Sequence, residues 1–109
     1  MKGAIILIPF PYTDFSATKL RPALVLYENK YDVVVAFISS KVPADLSHPD
    51  IPVLQQHRGF AESGLKVDSI IKLDKIATIM KKYVVGELGE LTSEFRAVVN
   101  EKMGEIYQI

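Results

Sequence analysis

Apolar and polar positions along this chain fall into blocks with two different periods. Residues 3–10, GAIILIPF, form a continuous β-branched apolar run, the pattern of a buried strand. Residues 22–28 (PALVLYE) and 33–39 (VVVAFIS) repeat that pattern around the turn-forming NKYD at 29–32. These two strands are therefore predicted to pair as an antiparallel hairpin. Residues 11–19, PYTDFSATK, are rich in turn formers and predict a loop that carries Tyr12 and Phe15. Further strands are predicted at 50–54, 65–73 and 80–88, with a single helical turn at 74–79 (DKIATI). The stretch 40–64 is otherwise irregular, and long irregular segments of small domains often carry function.

Near the end of the chain the period lengthens. Leu91, Phe95, Val98, Val99, Met103 and Ile106 step by three or four residues, which gives a helix over 92–109 one apolar face. Thr92 suits its N-cap, and Glu94 suits the positive end of the helix dipole. Five or six short strands closed by one terminal helix predict a mainly β fold, a small and strongly curved β-barrel with a C-terminal α-helix.

A length of 109 residues suits a single domain over 1–109. The absence of cysteine excludes a disulfide scaffold, a thiol nucleophile and any cysteine-based zinc site. His48 and His57 lie nine apart, outside recognised metal spacings, and read as surface residues. The apolar stretch at 4–8 runs into Pro9 and Pro11 and is too short to span a membrane, so a cytoplasmic location is expected. Formal net charge is zero, yet residues 1–41 hold five basic and three acidic side chains, and residues 66–82 hold five and two. Two separate segments can thus assemble a basic face on a neutral protein, although charges scattered over a solvated surface give the same counts.

No phosphate-binding glycine loop, nucleophile elbow or zinc signature occurs, which leaves polar residues at strand ends. Arg21 stands directly before Pro22, whose ring biases the arginine towards extended backbone at the entrance to a strand. Ser39 and Ser40 close the next strand, and hairpin pairing brings them beside Arg21. Asp68 interrupts an apolar run, with Lys66 two positions earlier on the same side of the strand. Arg21, Ser39, Lys66 and Asp68 are therefore expected on one rim of the barrel. Each has a plainer reading. Arg21 suits a surface ion pair, the serines suit bonds to loop backbone, and Asp68 suits an edge-strand charge that blocks aggregation. Tyr12 and Phe15 suit either base stacking or anchoring of the loop on the core.

Together these blocks, IILIPFPYTDFSATKLRPALVL, VVVAFISSK, GLKVDSIIKLDKI and VVGELGELTSEFRAVVNE, resemble the MazF/PemK (Kid-like) toxin family along the whole chain. The resemblance rests on the Arg-Pro step, the hydroxyl pair ending the next strand, a later acidic residue and a Leu-Gly-x-Leu segment before the final helix. It implies an SH3-like barrel, a homodimer, and a toxin of a type II toxin–antitoxin system. The implied activity is a metal-independent endoribonuclease that cleaves single-stranded mRNA and needs no cofactor. Its partners would be single-stranded RNA, a cognate antitoxin with an acidic disordered C-terminal segment, and operator DNA only through that antitoxin. Carried onto this chain, Arg21, Ser39 and Asp68 resemble the catalytic set, while Lys19, Ser40, Lys41 and Lys66 resemble substrate-binding positions. Ser69-Ile70-Ile71 stands where many relatives have Gln-x-Arg, and Lys41 where Gln is common. A silent binding module of the same fold is the alternative reading.

Overall fold

The structure, a computed structural model, describes residues 1–11 and 18–109. Among these described residues, six strands form one antiparallel sheet in the order β4-β5-β3-β2-β1-β6. They are β1 (Ala4–Pro11), β2 (Thr18–Glu28), β3 (Asp32–Ser39), β4 (Asp50–Val53), β5 (Ser69–Met80) and β6 (Gly86–Glu90). A short helix, α1 (Phe60–Ser63), precedes β5, a 3-10 turn at Lys81–Tyr83 follows it, and α2 (Ser93–Ile106) ends the fold. The sheet curls into a half-barrel closed by α2.

Both faces of the sheet carry buried apolar residues. Alternate residues of a strand point to opposite sides, so continuous apolar runs feed two apolar layers at once. Ile5, Leu24, Ile38, Ile71 and Leu73 pack on one side against Leu91, Phe95 and Val99 of the terminal segment. On the other side Ile6, Ile8, Val25, Val33 and Val35 form a second cluster, with Phe37, Ile79 and Val84 packed against it. Thr92 caps α2, its hydroxyl oxygen accepting from the Phe95 N–H at 3.3 Å. Of the apolar stripe predicted on that helix, Val98 is the exception, at 45% exposure.

The hairpin of β2 and β3 is as predicted, with Asn29 folding its turn by accepting from the N–H groups of Tyr31 and Asp32. Several other boundaries differ. β2 begins at Thr18, so Arg21 lies inside the strand, paired with Ile8 of β1. DKIATI is not a helical turn but the second half of the long strand β5, because β-branched Ile76, Thr78 and Ile79 pair with β3. Residues 65–68 precede that strand, and within the predicted 80–88 strand residues 81–83 form the 3-10 turn instead. The helix α1 was not foreseen, and the predicted loop with Tyr12 and Phe15 falls mostly on residues outside those described.

The Leu-Gly-x-Leu segment has a packing reason. At Gly89 a Cβ would meet the Glu62 carbonyl oxygen at 2.2 Å, so only glycine lets β6 lie against α1. Gly64 ends α1 at φ 73°, a left-handed conformation that glycine adopts without strain.

Candidate active site

Pro22 has no N–H to give to a sheet ladder, and the β2–β3 ladder begins just after it, at Ala23↔Phe37. Continuing that register by two residues sets Arg21 opposite Ser39. Both line an open concavity of about 540 Å³, together with Phe10, Phe37, Ser40, Lys41, Asp74 and Lys75. Among the described residues, three cations and one carboxylate therefore line a single recess. Phe10 and Phe37 meet edge to face in its wall, with centroids 5.4 Å apart, and Phe10 is 41% exposed. The Ser39 hydroxyl oxygen accepts from the Lys41 N–H at 3.1 Å, which turns the chain out of β3. A hydroxyl that accepts one bond still has its own proton to donate.

Asp74 and Lys75 reach the recess through a break in register. Ala36 pairs with Ile76, but the next residue, Phe37, pairs with Lys72. Residues 73–75 are thus bulged out of the ladder, and bulges of this kind re-aim side chains. The bulge is held on three sides. The Leu73 side chain is fully buried, its N–H donates to the Pro49 carbonyl at 3.2 Å, and its carbonyl accepts from the Tyr107 hydroxyl at the end of α2.

Just before the bulge, Lys72 donates to Asp50 at 3.3 Å. The buried Asp50 carboxylate also accepts from the Ser47 N–H (3.1 Å) and hydroxyl (2.9 Å). Burial alone would raise the Asp50 pKa; the Ser47 hydroxyl, the Ser47 N–H and Lys72 outweigh it and hold the group below its ordinary 3.8. A depressed carboxylate stabilises the folded state above pH 3.8, and that contribution fades as pH falls through the lower folded value. Asp50→Ala leaves Ser47 and Lys72 without their acceptor and is expected to cost about 2–3 kcal/mol. Thermal denaturation at pH 7 should then show a melting temperature lower by about 10–20 °C. The gap between parent and variant should narrow below pH 3.8.

Of the residues singled out from sequence, Arg21, Ser39, Ser40 and Lys41 come together in the recess. Lys19 stands beside it, paired across the ladder with Phe10. Lys66 and Asp68 are exposed and lie outside its lining. Asp68 does different work here, its carboxylate accepting from the Gln55 N–H at 2.7 Å and tying the segment before β5 to the end of β4. His57 is not a plain surface residue: its ring lies 4.3 Å from that of Phe95, and its Nδ1 accepts from the Gly59 N–H. Asp74 and Lys75 were missed because DKIATI reads as a helical turn. The available signal was the β-branched Ile76, Thr78 and Ile79, residue types that favour a strand. Among the described residues no three histidine or acidic side chains gather as a metal site, and no helix is long and apolar enough to cross a membrane.

Fold and recess together define a class: a curled six-stranded half-barrel with a terminal helix and an arginine-bearing cavity at one end of its central hairpin. The family model described as PemK-like, MazF-like toxin of type II toxin–antitoxin system matches residues 1–107, and the chain belongs to that family. Among solved structures it is similar to the Mycobacterium tuberculosis toxin MazF-mt6, with a TM-score of 0.74, 22% identity and 97% of each chain covered. It is also similar to a chain of the MazE–MazF structure from Deinococcus radiodurans, with a TM-score of 0.71, 18% identity and coverage of 96% of this chain and 92% of that one. An endoribonuclease in complex with its cognate antitoxin, from a mycobacterial species, matches at a TM-score of 0.71 and 16% identity, covering 96% and 91%. No curated protein matches the chain by sequence.

Proposed function

We propose that this protein is the toxin of a type II toxin–antitoxin system and a metal-independent endoribonuclease acting on single-stranded mRNA in the cytoplasm. The observation that carries the reading is the meeting of Arg21, Ser39 and Asp74, from three adjacent strands, in one cavity of a chain belonging to this toxin family. Arginine presents a planar fork of donors that matches a phosphate. It holds its own proton too tightly to be an efficient acid, so its role is to stabilise the negative charge that gathers on the phosphate oxygens as five-coordination develops. Ser39 donates to a non-bridging oxygen.

The general base is a carboxylate. The family resemblance gives that role to Asp68, but Asp68 accepts from the Gln55 N–H outside the recess, and we assign it to Asp74, the one carboxylate of the lining among the described residues. Asp74 takes the proton of the RNA 2′-hydroxyl, whose oxygen attacks the adjacent phosphorus. The bond from phosphorus to the 5′-oxygen breaks, leaving a 2′,3′-cyclic phosphate on one fragment. The departing 5′-oxygen takes up a proton, for which the recess offers the ammonium groups of Lys41 and Lys75. Lys19, Ser40 and Lys41 bind the backbone on either side, and the exposed ring of Phe10 stacks on a base.

Two copies pair as a homodimer and set their Arg21 cavities along one groove. The antitoxin inhibits by laying an acidic, disordered segment over the cations of the recess, contacts that weaken with salt. Operator DNA is reached only through that antitoxin. The decisive test is incubation of the protein with single-stranded RNA in the presence of a chelator, with analysis of the product ends. Fragments ending in 2′,3′-cyclic phosphate and 5′-hydroxyl are expected. A substrate with a 2′-deoxy sugar before the cut bond should bind and stay intact. RNA bound but never cut would point to a silent binding module.

A further inference from the structure

The end of the central hairpin opposite the recess carries chemistry that the proposed reaction leaves unused. Tyr27, Tyr31 and Tyr83 are exposed there, at 49%, 68% and 49%. Each ring has a lysine ammonium within reach of its face: Lys2 at 5.9 Å from Tyr27, Lys30 at 5.4 Å from Tyr31 and Lys82 at 5.4 Å from Tyr83. The residues come from three separate segments, and two bonds join the hairpin to the 3-10 turn. The Lys81 N–H donates to the Tyr31 carbonyl at 2.7 Å, binding the 3-10 turn to the hairpin tip. The Lys81 ammonium bridges to Glu28 at 2.8 Å. Glu28 is held down to about 2 by its bond to Lys81 and then by the Met1 amino group, so it stays ionised and engaged at physiological pH.

Lys2, Lys30, Lys81 and Lys82 thus outnumber Glu28 and Asp32 on a protein whose total charge is zero. Exposed rings cost free energy in water unless something covers them, and lysine beside tyrosine suits one kind of cover. Stacking platforms flanked by cations are how proteins hold single-stranded nucleic acid without sequence preference. An acidic peptide would answer the charge but would leave the three rings without a flat partner.

We propose that this lysine–tyrosine pole is a second, sequence-tolerant binding surface for single-stranded RNA, separate from the cleavage cavity. The inference rests on the RNA reading above and extends it to how a long strand is held. Arg21 and Tyr27 are six residues apart on one strand, roughly 20 Å. A short oligonucleotide in the recess does not reach the pole, whereas a long strand does. The pole therefore acts on the binding of long RNA and leaves cleavage of short substrates unchanged.

The test compares the parent with a quadruple variant, Lys30→Ala, Tyr31→Ala, Lys82→Ala and Tyr83→Ala, on a tetranucleotide and on a single strand of about 20 nucleotides, a length beyond the usual 4–16-nucleotide site. For the long strand, affinity should fall roughly fivefold or more for each ring lost. The slope of log affinity against log salt should shrink by about 1.4 for the two lysines. The rate on the tetranucleotide should not change, and a Tyr31→Phe, Tyr83→Phe variant, which keeps the rings, should bind long RNA like the parent. Unchanged affinity for the long strand overturns the inference and leaves the cleavage reading standing. A parent that cuts no RNA, but whose long-strand binding falls in the quadruple variant, overturns the cleavage reading and supports the pole. Equal loss of affinity for heparin, which has charge but no bases, or a change from dimer to monomer in sedimentation, shows a general charge patch or a subunit interface and overturns the inference.

Discussion

Arg21→Ala is expected to lose about 100- to 1,000-fold in the rate of RNA cleavage, the usual cost of removing one preorganised donor from a developing oxyanion. The physical case is positional. Pro22 biases the backbone of Arg21 and ends the β2–β3 ladder beside it, so the side chain is held where Ser39, Lys41, Lys75 and Asp74 converge. Arg21→Lys should rescue little, because a point charge cannot bond two phosphate oxygens in a plane. Arg21 is only partly buried, so its loss should leave the melting temperature within a few degrees of the parent. Single-turnover cleavage of a fluorescent RNA, run beside thermal denaturation, measures both. An Arg21→Ala protein that cuts as fast as the parent removes the charge-stabilising role from this residue.

Asp74→Asn should be the most damaging carboxylate change, slowing cleavage by about 100- to 10,000-fold, the range for loss of a general base. The substitution keeps the size of the side chain and so leaves the bulge at residues 73–75 in place. Asp68→Asn distinguishes the two carboxylates. Its side-chain oxygen can still accept from the Gln55 N–H, so it should cleave within a few-fold of the parent. The same single-turnover assay measures both variants. A larger loss in Asp68→Asn than in Asp74→Asn would return the base to Asp68.

Much of this architecture is legible in the sequence alone. Continuous β-branched runs specify strands because such side chains fit a pleated surface buried on both faces. The turn at 29–32 folds as expected because Asn29 has a side-chain oxygen placed to accept from the backbone two and three residues on. With that hairpin fixed, Arg21 and Ser39 had to lie side by side, so half of the recess could be read from pairing alone. The helix boundary at Thr92 was equally local, since a cap is made by one hydroxyl and the first turn.

Failures occurred where a long-range contact overruled a local signal. DKIATI has charges and an alanine that suit a helical turn, but Ile76, Thr78 and Ile79 gain more by pairing with β3. Nothing local to those residues encodes their partner strand. The assembly of the recess has the same character. Asp74 faces Arg21's cavity because three residues are squeezed out of register between Ala36↔Ile76 and Phe37↔Lys72. That bulge is held by Pro49 and Tyr107, contacts 24 and 34 residues from Leu73 in sequence. Asp68, conspicuous in the sequence as a carboxylate in an apolar run, lies before β5 begins, where its Oδ1 accepts from the Gln55 N–H.

By itself, then, the sequence determined the strands β1 to β4, where the final helix starts, which family the blocks resemble, and that Arg21 and Ser39 are neighbours. These depend on side-chain shape, period and hydrogen bonds within a few residues. Only the tertiary structure decided that Asp74 lines the same recess, because register between distant strands is set by the burial of whole faces and no single segment carries that information.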